Sequence, residues 1–443
     1  MLLNHLVKWS VLGGAVGILA GVASATFLVL LALATQTREA NIWLLGLLPL
    51  AGVAIGLAYH YRGGRAAEGN NLILDEVHGL ADHLRAPTPR EGVPLRMAPF
   101  VLVGTVVTHL FGGSAGREGT GIQMASSLGD TFSRALRLGP EDRRILLIAS
   151  IAGGFGSVFG VPLAGTVFAL EVQSVGRMRY EALVPALTAA IVGDRVADAI
   201  FVVTGLPHAP TPTVALEGIP LDPALIGLVA LAGLAFALAS ILFSEMLYGF
   251  RRMYRIAIRW SPARPLVGGL IVIALTLLVG TTDYLGLSLP LIERSYEGDV
   301  IAGAFLLKIV FTTLTVGAGF QGGEVTPLFV IGATLGAALA TPLGVPPELL
   351  AAVGLVAVFA GATNTPLACT VMGVELFGSE AFVYLAVGCV VSYVFSAHRG
   401  IYESQRIDTP KDKHVGLATE QDATVRALMQ RRRPWLPRSR RRP

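Results

Sequence analysis

The chain has 443 residues, and its composition excludes an ordinary soluble domain. Apolar residues make up 53% of it, charged residues only 14%, and the mean hydropathy is +0.64, whereas a soluble domain carries about a quarter charged residues. The formal net charge of +4 does not indicate nucleic-acid binding, because basic runs beside apolar segments usually meet anionic lipid headgroups. The composition therefore predicts an integral membrane protein with no nucleic-acid partner.

Apolar segments recur along the chain and predict an all-α membrane fold. Several are long enough to span a bilayer, and they cover residues 9–34, 41–60, 144–172, 181–204, 224–248, 265–285, 349–374 and 380–398. Other apolar segments, near 97–110, 300–316 and 327–340, are short and interrupted by glycine or proline. We expect those to form broken helices.

Basic residues lie mostly outside the apolar segments, and loops rich in Lys and Arg favour the cytoplasmic side of a membrane. Arginines cluster at 62–65, 134–144 and 251–264, and again in the last residues of the chain. The stretch 406–443 is polar, basic and contains prolines, which predicts a disordered cytoplasmic tail after a membrane domain at 1–405.

Glu118 is the most informative residue, because it places a carboxylate in a glycine-rich run inside an apolar region. The run reads Gly112-Gly113-Ser114-Ala115-Gly116-Arg117-Glu118-Gly119-Thr120-Gly121. An ionisable group at membrane depth is costly and indicates function by default. The glycines leave backbone N–H groups exposed beside it, and a small anion in a dry cavity needs such donors.

A repeat organises the chain into halves at about 9–205 and 224–405. Glu118-Gly119-Thr120 recurs in type as Glu324-Val325-Thr326, and the block 162–171 recurs as 366–375 at nearly the same spacing. Matching interrupted helices in two halves are typical of transporters with a binding site near the membrane midplane. The residues alone leave open whether the halves are inverted.

The motifs resemble the CLC family of anion channels and proton-coupled antiporters. The resemblance rests on Gly116-Arg117-Glu118-Gly119, on the run 319–327 and on Pro162-Leu163-Ala164-Gly165, and it covers about residues 9–405. It implies an inverted-repeat homodimer with broken and re-entrant helices and one anion pathway in each subunit.

Three departures from the chloride-handling members are similar to the fluoride-exporting branch, CLC-F. The chain reads Gly69-Asn70-Asn71-Leu72-Ile73 where chloride-handling members carry Gly-Ser-Gly-Ile-Pro. Thr120 stands in place of a proline, and Val172 stands where many antiporters keep an inner proton-relay glutamate. The resemblance therefore implies a proton-coupled fluoride antiporter. A chloride/proton antiporter and a passive anion channel on the same scaffold remain the alternatives.

The resemblance also implies roles for individual residues. Glu118 would act as gate and proton carrier, and Glu324 would be a second ion or proton station. The expected anion-binding residues are Asn70, Asn71, Ile73, Gly116, Gly119, Thr120, Val325, Thr326 and Tyr402. Dense donors suit fluoride, because a tightly hydrated ion loses its water only where hydrogen bonds replace it.

Ordinary structural explanations exist for several of these residues. Asn70 and Asn71 suit a helix cap or a turn, Tyr402 suits an interfacial aromatic belt, and Glu324 could cap a helix. Arg117 could simply neutralise Glu118.

Fluoride and protons as transported ions, a second copy of the chain and the bilayer are the expected partners, in a bacterial cytoplasmic membrane. No nucleotide, haem or metal motif occurs in the sequence, so no cofactor is expected.

An intramembrane serine hydrolase is the alternative from another class. Gly112-x-Ser114-x-Gly116 matches the spacing of a nucleophile turn, and His78, His83 and His109 are candidate bases. That motif normally requires a strand–turn–helix context, which an apolar helical sequence does not supply.

Overall fold

The computed structural model describes residues 2–82, 92–411 and 424–431, and this part of the chain is almost entirely helical. The helices are α1 Leu2–Ala40, α2 Leu48–Ala58, α3 Asn70–Asp82, α4 Met97–Leu110, α5 Glu118–Ala135, α6 Pro140–Phe159, α7 Pro162–Glu171, α8 Leu183–Thr204, α9 Pro223–Ala257, α10 Ala263–Val279, α11 Leu289–Tyr296, α12 Ala304–Ala318, α13 Val325–Leu343, α14 Pro347–Thr363, α15 Pro366–Phe377, α16 Phe382–Phe395 and α17 Val425–Arg431. Two strands, β1 Ser174–Val175 and β2 Arg406–Ile407, pair in parallel. The predicted all-α membrane fold is confirmed.

Two segments that we expected to span the membrane as single helices are each broken in the middle. Segment 144–172 divides into α6 and α7 at Gly160, and segment 349–374 divides into α14 and α15 at Asn364; both residues are left-handed, with φ of 72° and 60°. A proline begins the second helix of each pair, and proline cannot donate a helical hydrogen bond. A hydropathy average over a long window misses such breaks, because one or a few polar residues or glycines change the mean very little.

The helices α7 and α15 cap each other across the two halves of the chain. The carboxylate of Glu171, at the end of α7, accepts hydrogen bonds of 2.8 and 3.2 Å from the first turn of α15. The carboxylate of Glu375, near the end of α15, accepts bonds of 2.7 and 2.9 Å from the first turn of α7. Each helix therefore starts where the other ends, so α7 and α15 are antiparallel, as an inverted repeat requires.

An aromatic cluster fills the core between the halves. Phe155 of α6 stacks on Phe168 of α7 with ring centroids 4.4 Å apart, and Phe168 stacks on Phe359 of α14 at 5.8 Å. Phe329 of α13 meets Phe359 edge to face at 5.3 Å. Offset-stacked and edge-to-face pairs are favourable beyond their buried area, so the cluster fixes the broken helices against one another.

Part of the expected tail is ordered, which corrects the prediction of disorder for residues 406–411 and 424–431. β2 pairs with β1, and Val425 and Leu428 of α17 pack with Val175 and Ile407 in a small apolar cluster. The disorder prediction rested on the polar composition of the whole tail, whereas only a few apolar side chains, such as Val425 and Leu428, are needed to hold it against the membrane domain. Residues 412–423 and the basic run at 432–443 lie outside the described residues.

Lys411 anchors this segment to the membrane domain. Its Nζ donates to Asn364 Oδ1 at 2.6 Å and to Ser396 Oγ at 3.1 Å, and it lies 3.8 Å from the centre of the Tyr393 ring. Burial lowers the pKa of Lys411 to about 6, from an ordinary value of 10.5. The docked segment therefore favours the neutral amine.

We expect the docking of residues 406–411 to weaken as the pH falls from about 10 towards 6. A released Lys411 binds a proton in that range and the docked one does not, so the docking equilibrium changes by up to about tenfold per pH unit, with no further loss below pH 6. Hydrogen-exchange protection factors for 406–411, measured at several pH values, test this. The Lys411→Met variant is the control and should show no such slope; an equal slope in both proteins would contradict the assignment.

Candidate functional site

The N-termini of α5 and α13, one from each half, are joined by a backbone bridge. Gly116 N donates to Gly323 O at 2.6 Å, and Gly323 N donates to Gly116 O at 2.8 Å. A side-chain Cβ at Gly116 would lie 2.8 Å from Pro327 Cδ, so the close approach of the two helix starts requires glycine. The positive ends of both helix dipoles therefore converge on one point.

The Glu118 carboxylate lies at that point and is fully buried. Its Oε2 accepts hydrogen bonds from Thr326 N at 3.0 Å and from Arg117 N at 3.1 Å, and its Oε1 accepts one from the Thr326 hydroxyl. Backbone N–H groups at helix starts are the donors that bind anions in proteins. Here a carboxylate of the chain itself occupies such a site.

Arg117 is shared between Glu118 and a loop. Its Nε lies 3.5 Å from Glu118 Oε1, while its two terminal nitrogens donate to the carbonyl of Ala209 and, at 3.0 Å, to the hydroxyl of Thr211. The reading in which Arg117 neutralises Glu118 is thus partly right. The strongest bonds to the carboxylate nevertheless come from Thr326 and the backbone.

Two cavities of about 540 Å³ each approach the Glu118 site, and Glu118 itself lines neither of them. One, here called the inner vestibule, lies on the arginine-rich side; its lining includes Asn70, Asn71, Arg251, Glu324 and Tyr402. The other, here called the outer vestibule, has a lining that includes Arg38, Arg117, Leu285, Leu287 and Ser288. Glu324 and Arg117, neighbours of the Glu118 site, line one cavity each, while the Glu118 carboxylate is buried away from both.

Asn70 and Asn71 begin α3 at the mouth of the inner vestibule. Asn71 Oδ1 accepts a hydrogen bond of 3.0 Å from Ser404 N, which ties α3 to the segment that carries Tyr402. Asn70 Oδ1 is buried and has no hydrogen-bond partner within the described chain. Ile73, Asn70 and Tyr402 share the lining of a void of about 10 Å³, which is at the lower limit for one water molecule.

Glu324 lies beside the same vestibule and is paired with a residue that the sequence did not identify. Its Oε1 accepts a hydrogen bond of 2.9 Å from Arg251 Nη2 on α9, and its side chain is 13% exposed. Glu324 precedes α13, but its side chain makes no capping hydrogen bond. The carboxylate therefore stands at the positive end of α13, as the capping interpretation expects, but it bonds to Arg251 rather than to the first amides of the helix.

Two expected anion donors are engaged elsewhere, which corrects the expectation for them in this conformation. The Thr120 hydroxyl bonds to the Thr105 hydroxyl at 2.7 Å, and Thr120 N donates to Arg117 O at 3.2 Å. Gly116 N is used in the bridge to Gly323. Among the other expected residues, Val325 begins α13 and Gly119 lies in the first turn of α5, against the Asn70 amide.

The candidate hydrolase residues do not assemble a catalytic pair. Ser114 Oγ bonds to Thr312 at 2.9 Å and accepts a bond from Lys308. Both ring nitrogens of His109 contact backbone carbonyls, and His78 Nε2 lies 2.9 Å from the carbonyl of Gln173. His83 lies outside the described residues.

Comparison with known proteins decides the family. Residues 51–397 match the model of the voltage gated chloride channel family. A protein of Pseudomonas syringae pv. tomato named "Chloride/fluoride channel protein" is 47% identical over 93% of this chain and 89% of its own length. This chain belongs to the CLC family.

Solved CLC structures share the architecture. A CLC-type fluoride/proton antiporter is 32% identical to this chain, with a TM-score of 0.84 over 91% of this chain and 98% of that one. A cyanobacterial Cl⁻/H⁺ antiporter, at 21% identity and a TM-score of 0.68, shows the fold alone. An H⁺/Cl⁻ exchange transporter of Vibrio cholerae is 28% identical over 82% of this chain. This CLC protein is therefore an inverted-repeat membrane transporter and not a hydrolase.

Several polar residues of this CLC protein escaped the sequence reading. Arg38 and Lys308 are buried near the outer vestibule, and Arg251 pairs with Glu324. Lys308 is the one basic residue of the apolar stretch 300–316, and a charge at membrane depth was a usable signal. Arg251 could not be singled out from the sequence, because it lies within a run of several arginines.

Proposed function

We propose that this chain is a proton-coupled antiporter that exports fluoride, with Glu118 as gate and proton carrier. The observation that carries the proposal is the position of the Glu118 carboxylate. It accepts bonds from Thr326 N and Oγ1 at the joined helix starts, donors that a small anion would use in its absence. Carboxylate and anion therefore compete for one site.

Competition of this kind couples the two ions. Charged Glu118 benefits from the N–H donors and the two helix dipoles. Protonation removes that benefit, so the neutral side chain leaves the site and an anion enters. The Asn70 Oδ1 on the inner side, which has no partner among the described residues, can accept a hydrogen bond from the O–H of the displaced carboxyl group. Glu324 with Arg251 supplies a second charged station beside the inner vestibule.

The inner side supports fluoride rather than chloride. Amides of Asn70 and Asn71 stand where chloride-handling relatives keep a serine, and the void beside Ile73 and Tyr402 is only about 10 Å³. A small ion enters such a narrow space at a lower free-energy cost than a large one, provided that hydrogen-bond donors of the protein replace its water. The solved antiporter with the matching fold is described as a fluoride/proton antiporter, which supports the same choice.

We propose further that the protein is a homodimer in a bacterial cytoplasmic membrane, with the arginine-rich loops inside the cell. The relative with 47% identity is bacterial. The helices α7 and α15 have only 10 and 12 residues and rise about 1.5 Å per residue, well short of the ~30 Å hydrocarbon core. Leu163 and Leu367 on these helices are about half exposed, and a second subunit is the cover that we infer for them within the bilayer.

Purified protein in liposomes loaded with fluoride tests the function. We expect fluoride efflux to drive proton uptake, and chloride to move at least about tenfold more slowly, a difference of about 1.4 kcal/mol. Fluoride and chloride electrodes together with a pH electrode follow all three ions. Equal chloride flux would replace the proposal with a chloride/proton antiporter, and fluoride flux without protons would replace it with a channel.

A further inference from the structure

The outer vestibule is lined by two arginines, Arg38 and Arg117, that each keep a buried nitrogen with no hydrogen-bond partner among the described residues. Arg38, near the end of α1, is 7% exposed and lines this vestibule. Lys308 on α12 is fully buried, and its Nζ reaches the wall of this vestibule through Ser288 Oγ. Buried cations need a counter-charge or a full set of acceptors.

Lys308 has acceptors but no anion. Its Nζ donates to Ser288 Oγ at 2.8 Å, to Gly286 O at 2.9 Å, to Ser114 Oγ at 3.0 Å and to Tyr284 O at 3.3 Å. The Lys308 amine is thus held by neutral dipoles, and no carboxylate of the described chain lies among its partners.

Arg38 has a donor to spare. Its Nη2 donates to Glu39 at 2.8 Å, a carboxylate whose side chain is 61% exposed, but its Nη1 is buried and has no hydrogen-bond partner among the described residues. Gly286 packs beside Nη1, and an added Cβ would lie only 3.0 Å from that nitrogen, so a side chain at this position would crowd the guanidinium. An unsatisfied buried N–H of a cation is costly, and an anion at Nη1 would satisfy it.

Three carboxylates also line the outer vestibule, and two of them are paired with arginines. Asp283 is paired with Arg294 at 2.7 Å, so its charge is compensated. Glu39 contacts the other terminal nitrogen of Arg38. Glu293 remains as the lining carboxylate with no ion pair to a described residue.

Arg117 connects the outer vestibule to Glu118. It lines the same vestibule, and its Nε is buried with no hydrogen bond, its nearest partner being the Glu118 carboxylate at 3.5 Å. Protonation of Glu118 removes the charge that this guanidinium faces. Arg117 Nε then becomes available to an anion that passes from the Glu118 site into the vestibule.

We propose that the outer vestibule contains a second anion site, built on Arg38 Nη1 and backed by Lys308, that takes a small monovalent anion. Its identity as an exit station for fluoride rests on the proposed function. The alternative source is chloride from the outside medium. Both would use the same guanidinium donor, and the experiment distinguishes them.

Vesicles of known sidedness test the exit station. In right-side-out membrane vesicles containing the protein, Arg38→Gln should raise the outer fluoride concentration that half-saturates exchange by about tenfold. In inverted vesicles the inner half-saturating concentration should stay within twofold of wild type, which also shows that the variant is folded. The double variant Asp283→Asn with Arg294→Gln removes a compensated ion pair from the same vestibule; it is the matched control and should change neither value more than twofold. Arg38→Lys should recover part of the loss.

The outcomes separate the site from the proposed function. Outer chloride that competes with fluoride in wild type, but tenfold less in Arg38→Gln, would assign the site to chloride as well. An unchanged outer fluoride value in a folded Arg38→Gln protein that still exchanges would overturn the exit station while leaving the antiporter proposal intact.

Bromide provides a structural readout that does not depend on transport. Crystals of the wild-type protein grown with bromide should show an anomalous peak within hydrogen-bond distance of Arg38 Nη1, and crystals of Arg38→Gln should not. A wild-type map without that peak would overturn the site, even if Arg38→Gln fails to fold.

Discussion

Glu118→Gln should reduce proton movement to the level of empty liposomes. The amide is close in shape to the carboxylate and can still accept a bond from Thr326 N, but it carries no titratable proton. Fluoride can then move only passively, because nothing alternates with it. Simultaneous pH and fluoride recordings in liposomes with opposed gradients measure this loss.

A second buried carboxylate provides the control for that result. Glu171→Gln keeps an oxygen that can accept from the first turn of α15 and lies outside the Glu118 site. We expect some loss of thermal stability there, with the ratio of protons to fluoride unchanged. Persistent uphill exchange in Glu118→Gln would contradict the assigned role.

Gly116→Ala should slow transport at least about tenfold. Its Cβ would lie 2.8 Å from Pro327 Cδ, 2.9 Å from Gly323 O and 3.0 Å from Glu118 Oε2. The two helix starts must then separate, at a cost of about 1–3 kcal/mol for overpacking, and the donors to the carboxylate lose their alignment. Initial rates of fluoride efflux, together with the melting temperature, test the prediction.

Gly249→Ala is the matched control for this substitution. Gly249 lies on α9 with no atom within 4 Å of the added Cβ, and alanine favours a helix over glycine. Its transport rate should stay within twofold of wild type. A Gly116→Ala protein with the wild-type rate would show that the contact at the bridge does not position Glu118.

Short-range features of the chain were predictable from sequence. The glycine run predicted free backbone N–H groups beside Glu118, and the matched blocks at 118 and 324 predicted interrupted helices in both halves of the chain. Spacing and residue type are enough for this, because helix termini, glycine and proline act locally. The helix breaks at Gly160 and Asn364 were not predicted, because hydropathy was averaged over a window that included both helices of each pair.

Features that depend on tertiary contacts were not predictable. The sequence suggested that Thr120 and Gly116 have free donors. In the structure the Thr120 hydroxyl bonds to Thr105 of α4, and Gly116 N donates to Gly323 O. The docking of Lys411 depends on Asn364 and Ser396, which no local pattern connects to the tail. Contacts between side chains of different helices leave no repeating pattern in the sequence from which they could be predicted.

The reciprocal carboxylates of Glu171 and Glu375 constrain the order of events during biosynthesis. About two hundred residues separate each one from the helix start that it serves. The N-terminal half leaves the ribosome before Glu375 has been synthesised. Until then the backbone N–H groups in the first turn of α7 have no acceptor, and each such group in lipid costs several kcal/mol. We therefore expect the nascent first half to stay incompletely inserted or chaperoned until α15 has been synthesised, so that maturation is a single late event for both halves.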